Sequence, residues 1–205
     1  MDQQLARVLD RSRSLGLLGP GDIGAHVENA KAFAELVSPA DRVLDLGSGG
    51  GVPGLVLVSE LPTLRVTLVD ASERRVAFLR SAVRDLDASH RATVVHGRAE
   101  VLAHRSDLRG QFDVVTARSF GAPAVTAECA AGFLRVGGRL LVSEPDSIES
   151  RWPPEQVALL GLVVGDIHRT VHHDARTGIR ELVCEQAGLD GVPRADGVPS
   201  RRPLF

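Results

Sequence analysis

The apolar run Val43-Leu44-Asp45-Leu46 breaks straight into Gly47-Ser48-Gly49-Gly50-Gly51, and this junction constrains the fold more than any other stretch. A short apolar run ended by turn residues reads as a buried parallel strand. The glycines let the backbone bend sharply and approach a ligand, because no Cβ intervenes. A second strand over 65–70 closes on another carboxylate, Asp70. A glycine loop after one strand and an acid at the end of the next suit a doubly wound sheet that holds a nucleoside. The second acid then accepts from a pair of ribose hydroxyls.

The remaining periodicities extend this pattern. Apolar residues at helical spacing predict helices over 2–18 and 23–37, with Gly19-Pro20-Gly21-Asp22 between them and Ser38-Pro39 after the second. Strands follow at 42–46, 65–70, 93–96, 112–117 and 138–143, with helices at 53–60, 71–86 and 122–134. Such β-α alternation implies an α/β fold with a parallel sheet covered on both faces. Residues 162–171 and 179–185 then read as two strands of an antiparallel hairpin joined through 172–178. The expected organisation is N-terminal helices over 1–40, a Rossmann-like core over 41–190 and an extended Arg/Pro tail over 191–205.

Composition excludes several classes. At 205 residues with 43% apolar and 24% charged content, the chain fits one globular domain with a sizeable core. A net charge of −2 argues against nucleic-acid binding by bulk charge, though not against a local basic patch. Cys129 and Cys184 form no CxxC and read as reduced core thiols. The polar N-terminus carries no apolar signal region, and no apolar stretch reaches membrane length. A cytoplasmic, membrane-free protein is expected. His168, His172 and His173 with Asp174 read as a solvated hairpin turn rather than a metal site, so no metal is expected.

The 45–51 loop resembles motif I of S-adenosylmethionine-dependent methyltransferases, and strands closed by an antiparallel hairpin are the layout of their class I fold. That resemblance implies S-adenosylmethionine as the cofactor. Asp45 would face its ammonium group, directly or through water. Gly47, Ser48, Gly49, Gly51 and Pro53 would shape the loop around it, and Asp70 with Ala71 would hold the ribose. Arg98, Ala99 and Glu100, after the third strand, would border the adenine. Amine methyltransferases of this fold often carry Asn/Asp-Pro-Pro-Tyr after the fourth strand. Here the position reads Ala117-Arg118-Ser119-Phe120, which favours a ring nitrogen with a free lone pair as acceptor. Arg118 is then the expected catalytic residue, at the junction of cofactor and acceptor, on a guanine edge or a phosphate.

Together these pieces resemble the small-subunit ribosomal RNA guanine-N7 methyltransferase family, also called glucose-inhibited division protein B. Gly51-Val52-Pro53-Gly54, Val69-Asp70 with Arg74–Arg80, Arg98-Ala99-Glu100 and Arg118-Ser119-Phe120 are similar to its successive blocks. The stretch from Arg194 through Gly197, Pro199 and Pro203-Leu204 is similar to its closing motif. The resemblance implies methyl transfer to a guanine N7 of 16S rRNA in the small ribosomal subunit. It also places His26, Arg194, Arg201 and Arg202 at the substrate, in an enzyme acting as a monomer. Two departures stand out. The family's Lys-Gly after the fifth strand is replaced by Ser143-Glu144-Pro145, and its Trp-Asn and Asn-Leu-Thr N-terminal segment is missing. They leave open a small molecule or another RNA as acceptor, or a cofactor-binding relative without turnover.

Overall fold

A computed structural model describes residues 2–144, 150–172 and 175–205. Its centre is a seven-stranded sheet in the order β3-β2-β1-β4-β5-β7-β6. The strands are β1 (Arg42–Leu46), β2 (Arg65–Asp70), β3 (Ala92–His96), β4 (Phe112–Ala117), β5 (Leu134–Glu144), β6 (Leu162–His172) and β7 (Ala175–Cys184). The first five run parallel, and β7 joins β5 antiparallel. Chain order reverses between β1 and β4, which opens a crevice beyond the carboxyl ends of those strands.

Each central strand is buried on both faces, so its side chains feed two cores in alternation. Val43, Val66 and Val114 join the core under α1 (Gln3–Ser14), α2 (Ile23–Ala34), α3 (Gly54–Glu60) and α4 (Glu73–Asp85). Leu44, Leu46, Val69 and Val115 join the opposite core, under α5 (Ala99–Leu102), α6 (Pro123–Ala131) and α7 (Pro154–Ala158). The N-terminal helices are capped as their sequence allows. Asp2 accepts from the Gln4 amide at 3.3 Å and Asp22 from the Ala25 amide at 3.1 Å.

Several elements differ from the sequence reading. α1 stops at Ser14 because the next turn closes on Gly16 in the left-handed region. The hairpin is longer than expected: β6–β7 pairing continues through Thr170↔Thr177 to His172↔Ala175. Backbone pairing at a sheet edge does not need apolar side chains, so a polar stretch hides it. His173, Asp174 and Pro145 lie outside the described residues. β5 begins at Leu134 rather than at 138, with a register shift against β4 between Phe112 and Val114. The tail reads as extended in sequence, but a short helix, α8 (Val198–Arg201), folds back beside α6.

Candidate active site

The glycine loop leaves β1 and is braced from below. Asp45 is 1% exposed; its Oδ1 accepts from the Thr116 hydroxyl at 2.8 Å and its Oδ2 from the Gly54 amide at 3.2 Å. Burial pushes its carboxyl up to about 6, although bonds from Thr116, Ser48 and Gly54 oppose the rise. The expectation that Asp45 faces an ammonium group, directly or through water, meets a carboxylate that is buried beneath the loop. Each of its oxygens accepts one bond from the protein, and it lines none of the cavities described below. Its role is to tie β1, β4 and the start of α3 together. Gly51 and Pro53 also lie outside the cavity walls; Pro53 is the N-cap residue of α3.

Asp70 has the opposite fate. Its Oδ2 accepts from the Gly49 amide at 2.9 Å and its Oδ1 from the Ser72 amide at 2.8 Å. Each oxygen has a further lone pair, and the residue lines a cavity of 420 Å³. Gly47 and Ala71 line the same space, as do Arg98, Ala99 and Glu100 from the loop after β3. Gly47 sits at φ +69°, and a Cβ there would stand 2.5 Å from the Phe120 ring, so only glycine fits.

Glu100 is 4% exposed, and its Oε1 accepts from Arg98 at 2.9 Å and from the Gly197 amide at 3.2 Å. Burial pushes its carboxyl up, but these bonds outweigh that and hold it below the usual carboxylate value. Arg98 also pairs with Asp196. The 194–202 turn thus closes over the loop after β3, and Ser200 completes the cavity wall.

A second cavity of 180 Å³ is bordered by Ser48, Gly49, Val52 and Arg118 with Leu17 and Leu18 of the α1–α2 connection. The Ser12 hydroxyl donates to the Gly50 carbonyl at 2.9 Å, which fastens α1 onto the loop. Arg118 Nη2 donates to His26 Nδ1, so the network assigns the His26 proton to Nε2, which donates to the Gly19 carbonyl at 3.1 Å. Arg118 Nη1 is buried without a partner among the described residues. Burial lowers the Arg118 pKa, and the Asp45 charge partly opposes this; a guanidinium remains a cation regardless. An orphaned cationic donor beside a small polar cavity fits an anionic group such as a carboxylate.

A third cavity of 340 Å³ lies between the ends of β4 and β5, against Thr126, Glu144, Arg151 and Trp152. Ser119 lines all three cavities. It holds φ +56°, a conformation uncommon for a residue other than glycine. The three spaces therefore meet at one residue just past β4.

Comparison with known proteins follows the same line. The model of the family described as rRNA small subunit methyltransferase G (GidB) matches residues 15–173. The chain belongs to the GidB family. Ribosomal RNA small subunit methyltransferase G of Leuconostoc citreum is 40% identical, over 80% of this chain and 70% of its own length. That of Thermotoga neapolitana is 32% identical, over 98% and 89%. The Mycolicibacterium smegmatis protein of that name is 42% identical over 62% of this chain, and the match spans only 54% of the relative's length. Among solved structures, an O-methyltransferase from Bacillus cereus in complex with SAH aligns at a TM-score of 0.61 and 17% identity, covering 90% of this chain and 91% of the other. An O-methyltransferase from Streptomyces achromogenes in complex with SAM gives 0.61 and 16%, covering 91% of both. At these identities the likeness establishes the class I methyltransferase fold.

Within this GidB member, the geometry gathers Gly47, Asp70, Ala71, Arg98, Ala99 and Glu100 at one cavity and Ser48, Gly49 and Arg118 at its neighbour. It sets apart the residues expected at the substrate. His26 is engaged by Arg118 and Gly19. Arg194 is consumed by Glu128, donating from Nε at 2.8 Å and from Nη2 at 2.6 Å, while Glu128 is 1% exposed. Arg201 and Arg202 are exposed, though Arg201 also donates to the Gly197 carbonyl. Sequence reasoning missed Val52, Ser119, Phe120 and Ser200. Val52, Ser119 and Phe120 sit inside quoted motifs, whereas nothing local marks Ser200.

Proposed function

We propose that this chain is an S-adenosylmethionine-dependent methyltransferase acting on N7 of a guanine in 16S rRNA of the small ribosomal subunit. It works as a monomer in the cytoplasm. The observation that carries the reading is the pair of adjoining cavities at the ends of β1, β2 and β4. Asp70 lines one and Arg118, whose Nη1 is buried without a partner among the described residues, lines the other. A nucleoside suits the larger space, with Asp70 accepting from its ribose hydroxyls and the 97–100 loop against its base. An amino-acid carboxylate suits the smaller one, against Arg118. The family membership and the relatives named ribosomal RNA small subunit methyltransferase G support the substrate.

S-adenosylmethionine supplies a methyl group on a sulfonium; the acceptor lone pair forms the new N–C bond, the C–S pair stays on sulfur, and the positive charge passes to the purine. Guanine N7 has its lone pair in the plane of the neutral base, so no side chain has to remove a proton. The protein's contribution is alignment and electrostatics. Arg118, fixed by His26 in the wall of the smaller cavity and next to Ser119, orients both partners. Among the described residues no group of His, Cys, Asp or Glu side chains is placed to hold a metal.

The test incubates the protein with labelled S-adenosylmethionine and small subunits from a strain lacking the endogenous enzyme. Label at a guanine N7 of 16S rRNA is expected. Label entering a small molecule and never RNA would establish the small-acceptor reading instead.

A further inference from the structure

The 340 Å³ cavity beside β5 is separate from the one lined by Asp70 and is built around a carboxylate. Glu144 ends β5, and its side chain is 4% exposed. The Trp152 indole Nε1 and Arg151 Nη2 both donate to its Oε1, each at 2.9 Å. Trp152 is 1% exposed, so the indole fixes the carboxylate from behind. Oε1 therefore carries both of these bonds, and Glu144 lines the cavity. Residues 119–121 form the partition between this cavity and the larger one.

We infer that Glu144 is a specificity-determining residue that reads the N1–H and N2-amine edge of the acceptor guanine. The inference rests on the guanine-N7 reading above. Guanine alone among the standard bases presents two adjacent donors on its pairing edge, and Glu144 Oε2, whose lone pairs take no bond among the described residues, is the oxygen that accepts from both. Adenine presents an acceptor at the position of N1–H, which a carboxylate repels. N7 lies on the side of the purine opposite that edge. A base anchored on Glu144 thus turns N7 away from β5, toward Ser119 and the neighbouring cavities. The carboxylate gains further when the ring is methylated, because the purine becomes cationic and its N1–H a stronger donor. An interaction that strengthens as charge develops lowers the barrier as well as selecting the base. The acid in place of the family's Lys-Gly then serves base recognition, where a cation would serve the backbone.

Trp152 is the only tryptophan in the chain, so its fluorescence reports directly on this cavity. The experiment titrates the full chain with the 5′-monophosphates of guanosine, inosine and adenosine, following Trp152 emission. S-adenosylmethionine binding is measured in parallel by calorimetry. Guanosine should bind best. Inosine, lacking the N2 amine, should bind about tenfold more weakly, and adenosine weaker still. Glu144→Gln keeps an oxygen for Trp152 and Arg151 but sets an amide against the guanine donors. It should erase the ranking while leaving cofactor affinity within about twofold, since it removes no contact in the cofactor cavities. Adenosine binding as tightly as guanosine, silence of Trp152 toward every nucleotide, or a Glu144→Gln variant that keeps the guanosine preference would each overturn the assignment. The wild-type ranking decides the matter even where the variant does not fold. Absence of cofactor binding alongside an intact nucleotide ranking would instead count against the methyltransferase reading.

Discussion

Asp45 and Asp70 stand in nearly the same local context, each closing or nearly closing a parallel strand, yet only one faces a cavity. Asp70→Ala should weaken S-adenosylmethionine binding by about 1–3 kcal/mol, the cost of losing an acceptor for hydroxyls in a closed site. Calorimetry that returns an unchanged affinity would remove Asp70 from the ribose. Asp45 makes a different prediction. Its carboxyl is held at about 6 in the fold against an ordinary 3.8. Between those values the folded state holds a proton that the unfolded chain has released. Stability therefore rises as pH falls from about 6 to 3.8, by on the order of 3 kcal/mol, and this contribution is constant below that window. A carbon-detected NMR titration of Asp45 with its midpoint near pH 4 would contradict this. The sequence marks both acids as special but cannot separate them. The bond that withdraws Asp45 comes from Thr116, 71 residues away.

At the scale of elements, the alternation of strands and long helices was legible because each repeats a buried face several times. The short helices α5, α7 and α8 were not. Four or five residues carry too little periodicity to stand out from loop sequence. The turn over 194–202 was the largest surprise, since its arginines read as free cations for RNA. Glu128 lies in the middle of α6, where a carboxylate reads as solvated; it is instead buried and anchors this turn. Arg109 adds to the anchorage by donating to the Leu189 and Val192 carbonyls, each at 2.9 Å. Arg194→Ala removes the guanidinium and leaves the buried Glu128 carboxylate with only the backbone amide of residue 194 as donor among the described residues. It should cost about 2–3 kcal/mol in chemical denaturation, below the 3–5 of a fully buried pair because Arg194 is 31% exposed. The same variant should weaken cofactor binding severalfold, because Ser200 and the Gly197 bond to Glu100 ride on that turn. A variant with full stability would show the pair to be solvated.

Across the whole molecule, net charge gives little attraction to RNA, so contact with phosphates falls to local cations. With Arg194 withdrawn, Arg201 and Arg202 are the exposed arginines of the turn beside the cavity. Each single-strand phosphate contact steepens the salt dependence of binding by about 0.7 on a log–log plot. Replacing both arginines by alanine should flatten the slope for a 16S rRNA fragment by about 1.4 without altering base preference. A slope unmoved by the double substitution would place the RNA elsewhere on the surface. Sheet order was legible only in part. Parallel pairing follows from the alternation, but the reversal between β1 and β4 depends on which faces the crossovers cover.

The cavity lined by Gly47 at one end of the sequence and by Ser200 at the other has a consequence for biosynthesis. While a ribosome is still making this chain, the sheet through β4 has emerged long before residue 200 leaves the exit tunnel. A nascent chain at that stage presents the loop after β3 with Glu100 lacking the Gly197 amide and Arg98 lacking Asp196. Closure of this loop therefore waits on translation of the turn, and an unfinished copy lacks both contacts even when most of its core has folded.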